Sequence, residues 1–500
     1  MPKQEKLDLS RDIIFKDFQN GIADSPHLGY AMMKNVDVTT TPGVAKINFK
    51  AKKMSGTGVT GFIKWFTKYE RVGDFYGVDD AGKVYKVDSN GTTLTIMAGN
   101  TFPVGATVNA AGIIGDYFII FRDTGADALG PLNGSPAWVN AFITWTSDYH
   151  TTYNANAWLA QDNHLYWPST AGLASLSVVD GKTFNPADST TYTYNAAALR
   201  LPDTVVVSCI AELGSLLMVG TFRGVGTQVG DIYPWTKNAT TYNEPVRLPE
   251  SGVRQLITIN NRLYAVGGSA IYLSDSINYR KIKRLAKLAT SDESQGQPTL
   301  GTYPYAIASQ KESILIGTYP RYNTTPTGVW RLTHDDLLQT DVVTFFNQIS
   351  TGNVNNVEIG AIYPIDDYQY LITWKDTNSG TSYGIDKVVV TERYTGYAAS
   401  LETDLRPVGI PTGKRTFREV EFELGKPLAT GQGIRISYRK NLTDTYTVLG
   451  TYDYASKGAV QFVNDYAGKI SDATYVQLKI ELTTDSATYT SPELREVRLR

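Results

Sequence analysis

Hydrophobic and polar positions along this chain either alternate with period two or run together in short apolar stretches, and they seldom recur at helical spacing. The pattern predicts strands from end to end. One phrase returns repeatedly: a Gly, Asp or Asn turn, an apolar run containing an aromatic, then a second strand. Its copies are 73–78 leading to 83–87, 115–121 leading to 141–145, 163–167, 214–220 leading to 231–235, 261–266 leading to 270–273, 312–317 leading to 328–332, and 367–374 leading to 385–388. They recur about every 40 to 55 residues, close to the repeat length of propeller blades. A blade's inner strands are covered by neighbouring blades and read as continuous apolar runs such as Leu216-Leu217-Met218-Val219, while outer strands alternate. The expected fold is all-β, a β-propeller of about six to eight blades. An irregular all-β chain with turns every 8 to 12 residues or so would give a looser version of the same pattern.

At Leu405-Arg406-Pro407 the rhythm changes to short, cleanly alternating strands. Val420, Phe422 and Leu424 fall on one face, as do Val476, Leu478, Ile480 and Leu482. About 90 residues of this kind can close a small antiparallel β-sandwich. The expected organisation is an N-terminal arm over 1–55, a propeller over 56–405 and a C-terminal sandwich over 406–500. The arm shows no strand or helix regularity; it reads either as a docking segment or as a strand that closes the last blade. Two stretches could be helical, 335–339 and the basic 278–288, and the second reads better as a loop with a solvated charge run.

Composition sharpens this picture. The 500 residues are 42% hydrophobic and 19% charged, enough for two or three domains, and the 32 tyrosines with abundant Thr, Gly, Asn and Val favour strands. A net charge of −2 excludes a global field of the kind that draws a protein onto nucleic acid or anionic lipid. The single cysteine, Cys209, cannot form an intramolecular disulfide and sits in the apolar run Val205–Ile210, which points to a small buried residue and a reducing compartment. The first thirty residues do not read as a signal peptide, and apolar runs stop short of the roughly 18 to 20 residues of a membrane span.

Candidate chemistry is sparse. Gly56-Thr57-Gly58-Val59-Thr60-Gly61 matches G-x-G-x-x-G, but no βαβ unit surrounds it. Asp79-Asp80, Asp335-Asp336 and Asp366-Asp367 could supply glycosidase carboxylates, yet neighbours on a strand point to opposite faces, and turn aspartates account for them. The segment Ser274-Asp275-Ser276-Ile277-Asn278-Tyr279 has a turn-like aspartate. His27, His150, His164 and His334 lack metal-ligand spacing. No catalytic residue, cofactor or metal is expected. Two basic clusters, Lys46/Lys50/Lys52/Lys53 and Arg280/Lys281/Lys283/Arg284/Lys287, read as solvated or protein-facing.

The arm carries Asn20-Gly21-Ile22, then Pro26, Asn35 and Pro42-Gly43, and the chain closes with strands at 434–439 and 475–482 before Ser491-Pro492-Glu493-Leu494-Arg495. With the order arm, propeller, sandwich, this resembles the tail nozzle (tail tubular protein B-like) and β-propeller virion structural proteins of tailed bacteriophages. The resemblance implies a non-enzymatic structural virion protein, a homo-oligomeric nozzle or tail-tip component around the DNA exit channel. Its partners would be other tail proteins and copies of itself, with DNA passing through without sequence-specific binding and with host surface contact. It would be made in the host cytoplasm and reside in the virion tail. Asn20, Gly21, Ile22, Pro26, Asn35 and Pro42 are then the candidate subunit-docking residues. The alternatives are a carbohydrate- or receptor-binding propeller, whose exposed tyrosines and tryptophans would stack on sugars, and a glycoside hydrolase on the same scaffold.

Overall fold

The structure, a computed structural model, describes residues 13–16, 30–41, 43–56, 58–97, 106–145, 156–223, 230–250, 252–267, 270–274, 279–284, 301–311, 313–320, 327–335, 340–353, 356–408, 413–465, 470–485 and 490–500. It is all-β, as the period-two pattern demands, with only one single-turn helix, Tyr454–Lys457, among the described residues. Two compact units emerge: Lys52–Val329 with Ile349–Val388, and Met1–Ala51 with Trp330–Gln348 and Val389–Arg500.

Seven sheets begin with strands of the first unit. Their first strands are Ile63–Lys68, Val108–Ile114, Trp158–Leu159, Val205–Leu213, Gln255–Ile259, Ile307–Gln310 and Val357–Pro364, and each sheet then adds its strands in chain order. The second strands are Phe75–Asp79, Tyr117–Arg122, His164–Ser169, Leu216–Arg223, Arg262–Val266, Ser313–Gly317 and Tyr370–Asp376. These are the apolar runs of the seven recurring phrases. They are covered on both faces: every residue of Phe75–Asp79 and Ser313–Gly317 is buried. Turn chemistry fits the register. Asn260 and Asn261, both at positive φ, form the two-residue loop that brings Ile259 opposite Arg262.

The first strands touch in cyclic order. Each contacts the inner strands of the next sheet, and Val357–Pro364 contacts Ile63–Lys68, so the ring closes on itself as in a β-propeller. Apolar clusters fill the gaps between consecutive sheets. Tyr76 meets Phe118 between the first and second; Phe121 stacks on Trp167 with centroids 4.1 Å apart between the second and third; Tyr166 meets Trp235 edge-on between the third and fourth. At the seam, Thr373 Oγ1 donates to Ile63 O at 2.7 Å and Phe75 packs on Tyr363. The Met54 N–H donates to Ile385 O at 2.9 Å, and the last sheet takes Phe49–Lys53 as its fourth strand. A strand from the N-terminal stretch therefore completes the last sheet.

The second unit holds two larger sheets. One runs Ile13–Phe15, Leu494–Leu499, Val420–Leu424, Phe462–Asp465; the other runs Tyr30–Lys34, Ala399–Thr403, Tyr475–Thr483, Gly433–Arg439, Thr447–Asp453. Val420, Phe422 and Leu424 are buried together, as are Val476, Leu478, Ile480 and Leu482, and Phe422 of one sheet meets Tyr452 of the other at 5.0 Å. The division departs from the expected boundaries at 55 and 405. The stretch read as an arm without regular structure contributes strands to both sheets, and Ala399–Thr403, assigned to the propeller, pairs with Tyr475–Thr483. The reason is edge satisfaction: Leu494–Leu499 and Tyr475–Thr483 would otherwise each present unpaired backbone groups.

Candidate functional site

Inside the first unit, the C-terminal ends of the first strands converge on a cavity of about 880 Å³. Phe66 to Arg71, Ala111 to Ile113, Trp158, Leu159, Glu212, Leu256 to Thr258 and Ile362 to Pro364 line it. Its floor is Tyr305, held on the 3₁₀ turn Pro304–Ala306 that precedes the sixth sheet. The Tyr305 hydroxyl donates to Ala111 O at 2.7 Å and accepts from the Ala157 N–H at 3.1 Å, which ties it to the second and third sheets. Gln255 Nε2 donates to Pro304 O at 2.6 Å, and the turn also touches the first strands of the first and seventh sheets. A turn that reaches nearly every sheet lies across the middle of the ring and closes it. Burial pushes the Tyr305 phenol well above its ordinary range, so it stays a neutral donor.

On the far side of this turn, Tyr303 donates to Glu358 Oε2 at 2.8 Å and packs against Phe62 and Tyr319. The Lys64 ammonium lies 5.3 Å from the Tyr303 ring and 5.6 Å from Phe62. Lys375 pairs with Glu358 at 2.8 Å.

Charged groups at the cavity rim are engaged with one another. Asp116 accepts from Arg71 at 3.0 Å, from Asn133 at 2.9 Å and from the Tyr69 hydroxyl, whose phenol is pushed up to about 12 by burial and by that carboxylate. Glu212 pairs with Lys237 at 2.7 Å and accepts from the Gln161 N–H; Glu70 pairs with Lys68 at 2.8 Å. This set is built for recognition, since no rim carboxylate stands opposite a nucleophile or a second acid.

The residues singled out from sequence fall elsewhere. Asn35, expected at a docking surface, is fully buried: its Nδ2 donates to Gln348 Oε1 at 3.0 Å and Ala398 O at 3.1 Å, and its Oδ1 accepts from Gln348 N. Its role is internal, and positive φ suits Asn there. Asn20, Gly21, Ile22, Pro26 and Pro42 lie outside the described residues, as do His27, His150, the His334 side chain and Asp336. Asp79 accepts from the Ala81 and Lys83 N–H groups and from Tyr85; Asp366 accepts from the Tyr368 and Gln369 N–H groups. Both are turn aspartates. Burial tends to raise the Asp366 carboxyl, and those donors outweigh it, holding the group below its usual value.

His164 bonds Asp162 and stacks on Tyr166. Cys209 is fully buried, which pushes its thiol up to about 12. The glycine-rich stretch ends in the strand Ile63–Lys68, so no helix N-terminus exists there to receive a phosphate. The basic stretch read as a loop is in part a strand, Tyr279–Arg284, paired to Ala270–Ser274; its side chains at Arg280 and Lys281 are exposed, which is why its charges resemble a solvated run. Lys46 pairs with Glu493 at 3.0 Å and Lys53 lies over Trp374. Among the described residues no cluster of His, Cys, Asp and Glu could hold a metal ion. Sequence reasoning missed the cavity and its floor; the one available signal was Tyr303-Pro304-Tyr305, two aromatics around a proline ahead of a strand.

No family model and no curated protein matches the chain. Solved structures with a similar arrangement include the β-propeller domain of Cps50 (Swd1) from Myceliophteria thermophila, at 8% identity and TM-score 0.43, covering 68% of this chain and 99% of that one. The RRP9 WD40 repeats match at 10% identity and TM-score 0.46, covering 68% and 97%. YCF48 bound to D1 peptide matches at 13% identity and TM-score 0.43, covering 70% and 95%. At these levels the likeness bears on strand arrangement and on nothing the chain does, and the propeller assignment rests on the closed ring of sheet contacts.

Proposed function

We propose that the chain is an assembly component, a seven-bladed β-propeller joined to a two-sheet β-sandwich, serving as a structural virion protein of a tailed bacteriophage in a homo-oligomeric nozzle or tail tip. The observation that carries the assembly reading is the closed centre of the ring: Tyr305, bonded to Ala111 and Ala157, leaves no passage through the propeller, and the polar groups around it are committed to structural bonds. What such a unit offers is surface. The phage assignment rests on the sequence resemblance in the N-terminal stretch and the order of the parts. Under this reading DNA passes along the axis of a ring of copies, never through one propeller.

Projection images of the purified full chain test the proposal. Rings with an axial hole, each copy showing a blocked disc, are expected. A monodisperse monomer at all concentrations, or hydrolysis of a surface polysaccharide lost on Asp79→Asn without a change in melting temperature, would contradict it.

A further inference from the structure

Three large hydrophobic residues of the first unit are exposed among those described: Val72 at 47%, Leu159 at 46% and Tyr368 at 43%. All three sit where a first strand gives way to a second, in three different sheets. That is also the side on which the cavity opens, since Leu159, Arg71 next to Val72, and Pro364 just ahead of the turn carrying Tyr368 all line it. Charge follows the same geography. The turns between first and second strands hold Glu70, Asp74, Asp116, Asp162, Asp366 and Asp367 against Arg71 and Lys311, whereas the described turns between second and third strands hold only Asp80, Lys83 and Asp123. A chain with net charge −2 thus gathers its negative charge, its exposed apolar residues and its one large described cavity on one face. Trp158, also lining the cavity, has a buried indole N–H without an acceptor, suited to a peptide carbonyl.

We infer that this face docks a basic polypeptide segment of a partner protein, one carrying Lys or Arg residues and an apolar anchor. The anchor packs on Leu159 at the cavity mouth and the cations lie over the acidic turns. The surface goes beyond the function proposed above and does not require the chain to form rings or to come from a phage.

The experiment uses the full chain and fluorescein-labelled short peptides of Lys, Leu and Gly, with Glu, Leu and Gly counterparts, read by fluorescence anisotropy. The Lys peptide is expected to bind, the Glu peptide not. Glu70→Lys with Asp367→Lys should weaken binding about tenfold or more, a loss that shrinks as added salt screens the face, and Leu159→Ser should weaken it at every salt concentration. Asp80→Lys, on the opposite turns, should leave it unchanged. Circular dichroism confirms that each variant is folded. Equal binding of both peptides, no binding of either, or equal loss in Asp80→Lys would overturn the inference. Ring formation is scored separately by sedimentation, so failure of this surface and failure of the assembly reading are told apart.

Discussion

Burial alone would raise the carboxyl of Glu481, but Arg435 Nε at 2.6 Å and Lys479 Nζ at 3.0 Å outweigh it and hold the group below the ordinary glutamate range. A carboxylate whose folded pKa is depressed adds stability above its unfolded pKa and loses it as pH falls through the folded one. Glu481→Gln should therefore lower stability near neutral pH by about 1 kcal/mol, a figure kept small by partial solvent screening. The gap between variant and wild type should close as pH drops below about 4, because the wild-type group is then protonated as well. Melting curves from neutral to acid pH check this; a gap that persists in acid would mean that packing, not charge, holds the residue. Individual roles were unevenly legible in the sequence. Asp79 and Asp366 read correctly as turn aspartates because their partners lie within a few residues. Asn35 did not, since its partners Gln348 and Ala398 are over 300 positions away.

At the scale of strands and sheets, some cross-strand pairs set a glycine against a large side chain: Phe66 opposite Gly77, Cys209 opposite Gly220, Trp374 opposite Gly384. The missing side chain is what lets the larger one lie over the sheet, and a Cβ on Gly384 would overlap the buried indole of Trp374. Gly384→Ala should cost about 1 to 3 kcal/mol and lower the melting temperature by several degrees; an unchanged melting temperature would mean that the indole can move aside. Second strands were legible because continuous burial makes continuous apolar runs. First strands were not, and bulges explain much of it. An extra residue at Lys64, Asn109, Ser208 and Gly360 shifts the register inside four of them and breaks the alternation that would have marked them.

For the whole molecule, the number of recurring phrases anticipated the number of sheets in the ring, whereas the boundaries could not be read from periodicity. Pairing between Ile13–Phe15 and Leu494–Leu499, or between Tyr30–Lys34 and Ala399–Thr403, leaves no trace in local pattern. A fragment spanning 405–500 accordingly lacks Ala399–Thr403, which pairs with the central strand Tyr475–Thr483, and both N-terminal strands. It should aggregate or remain unfolded, while the same fragment supplied with 1–51 and 389–404 on one chain should gain cooperative unfolding; independent folding of 405–500 would show those strands to be dispensable.

The central claim is a closed ring of seven sheets with a blocked middle, so that the propeller works by its faces. A density map of the full chain at side-chain resolution tests it most directly. The account predicts seven sheets with Pro304–Ala306 across the axis and the Tyr305 hydroxyl between Ala111 O and Ala157 N. Six or eight sheets, or an open axial hole where Tyr305 should lie, would contradict it.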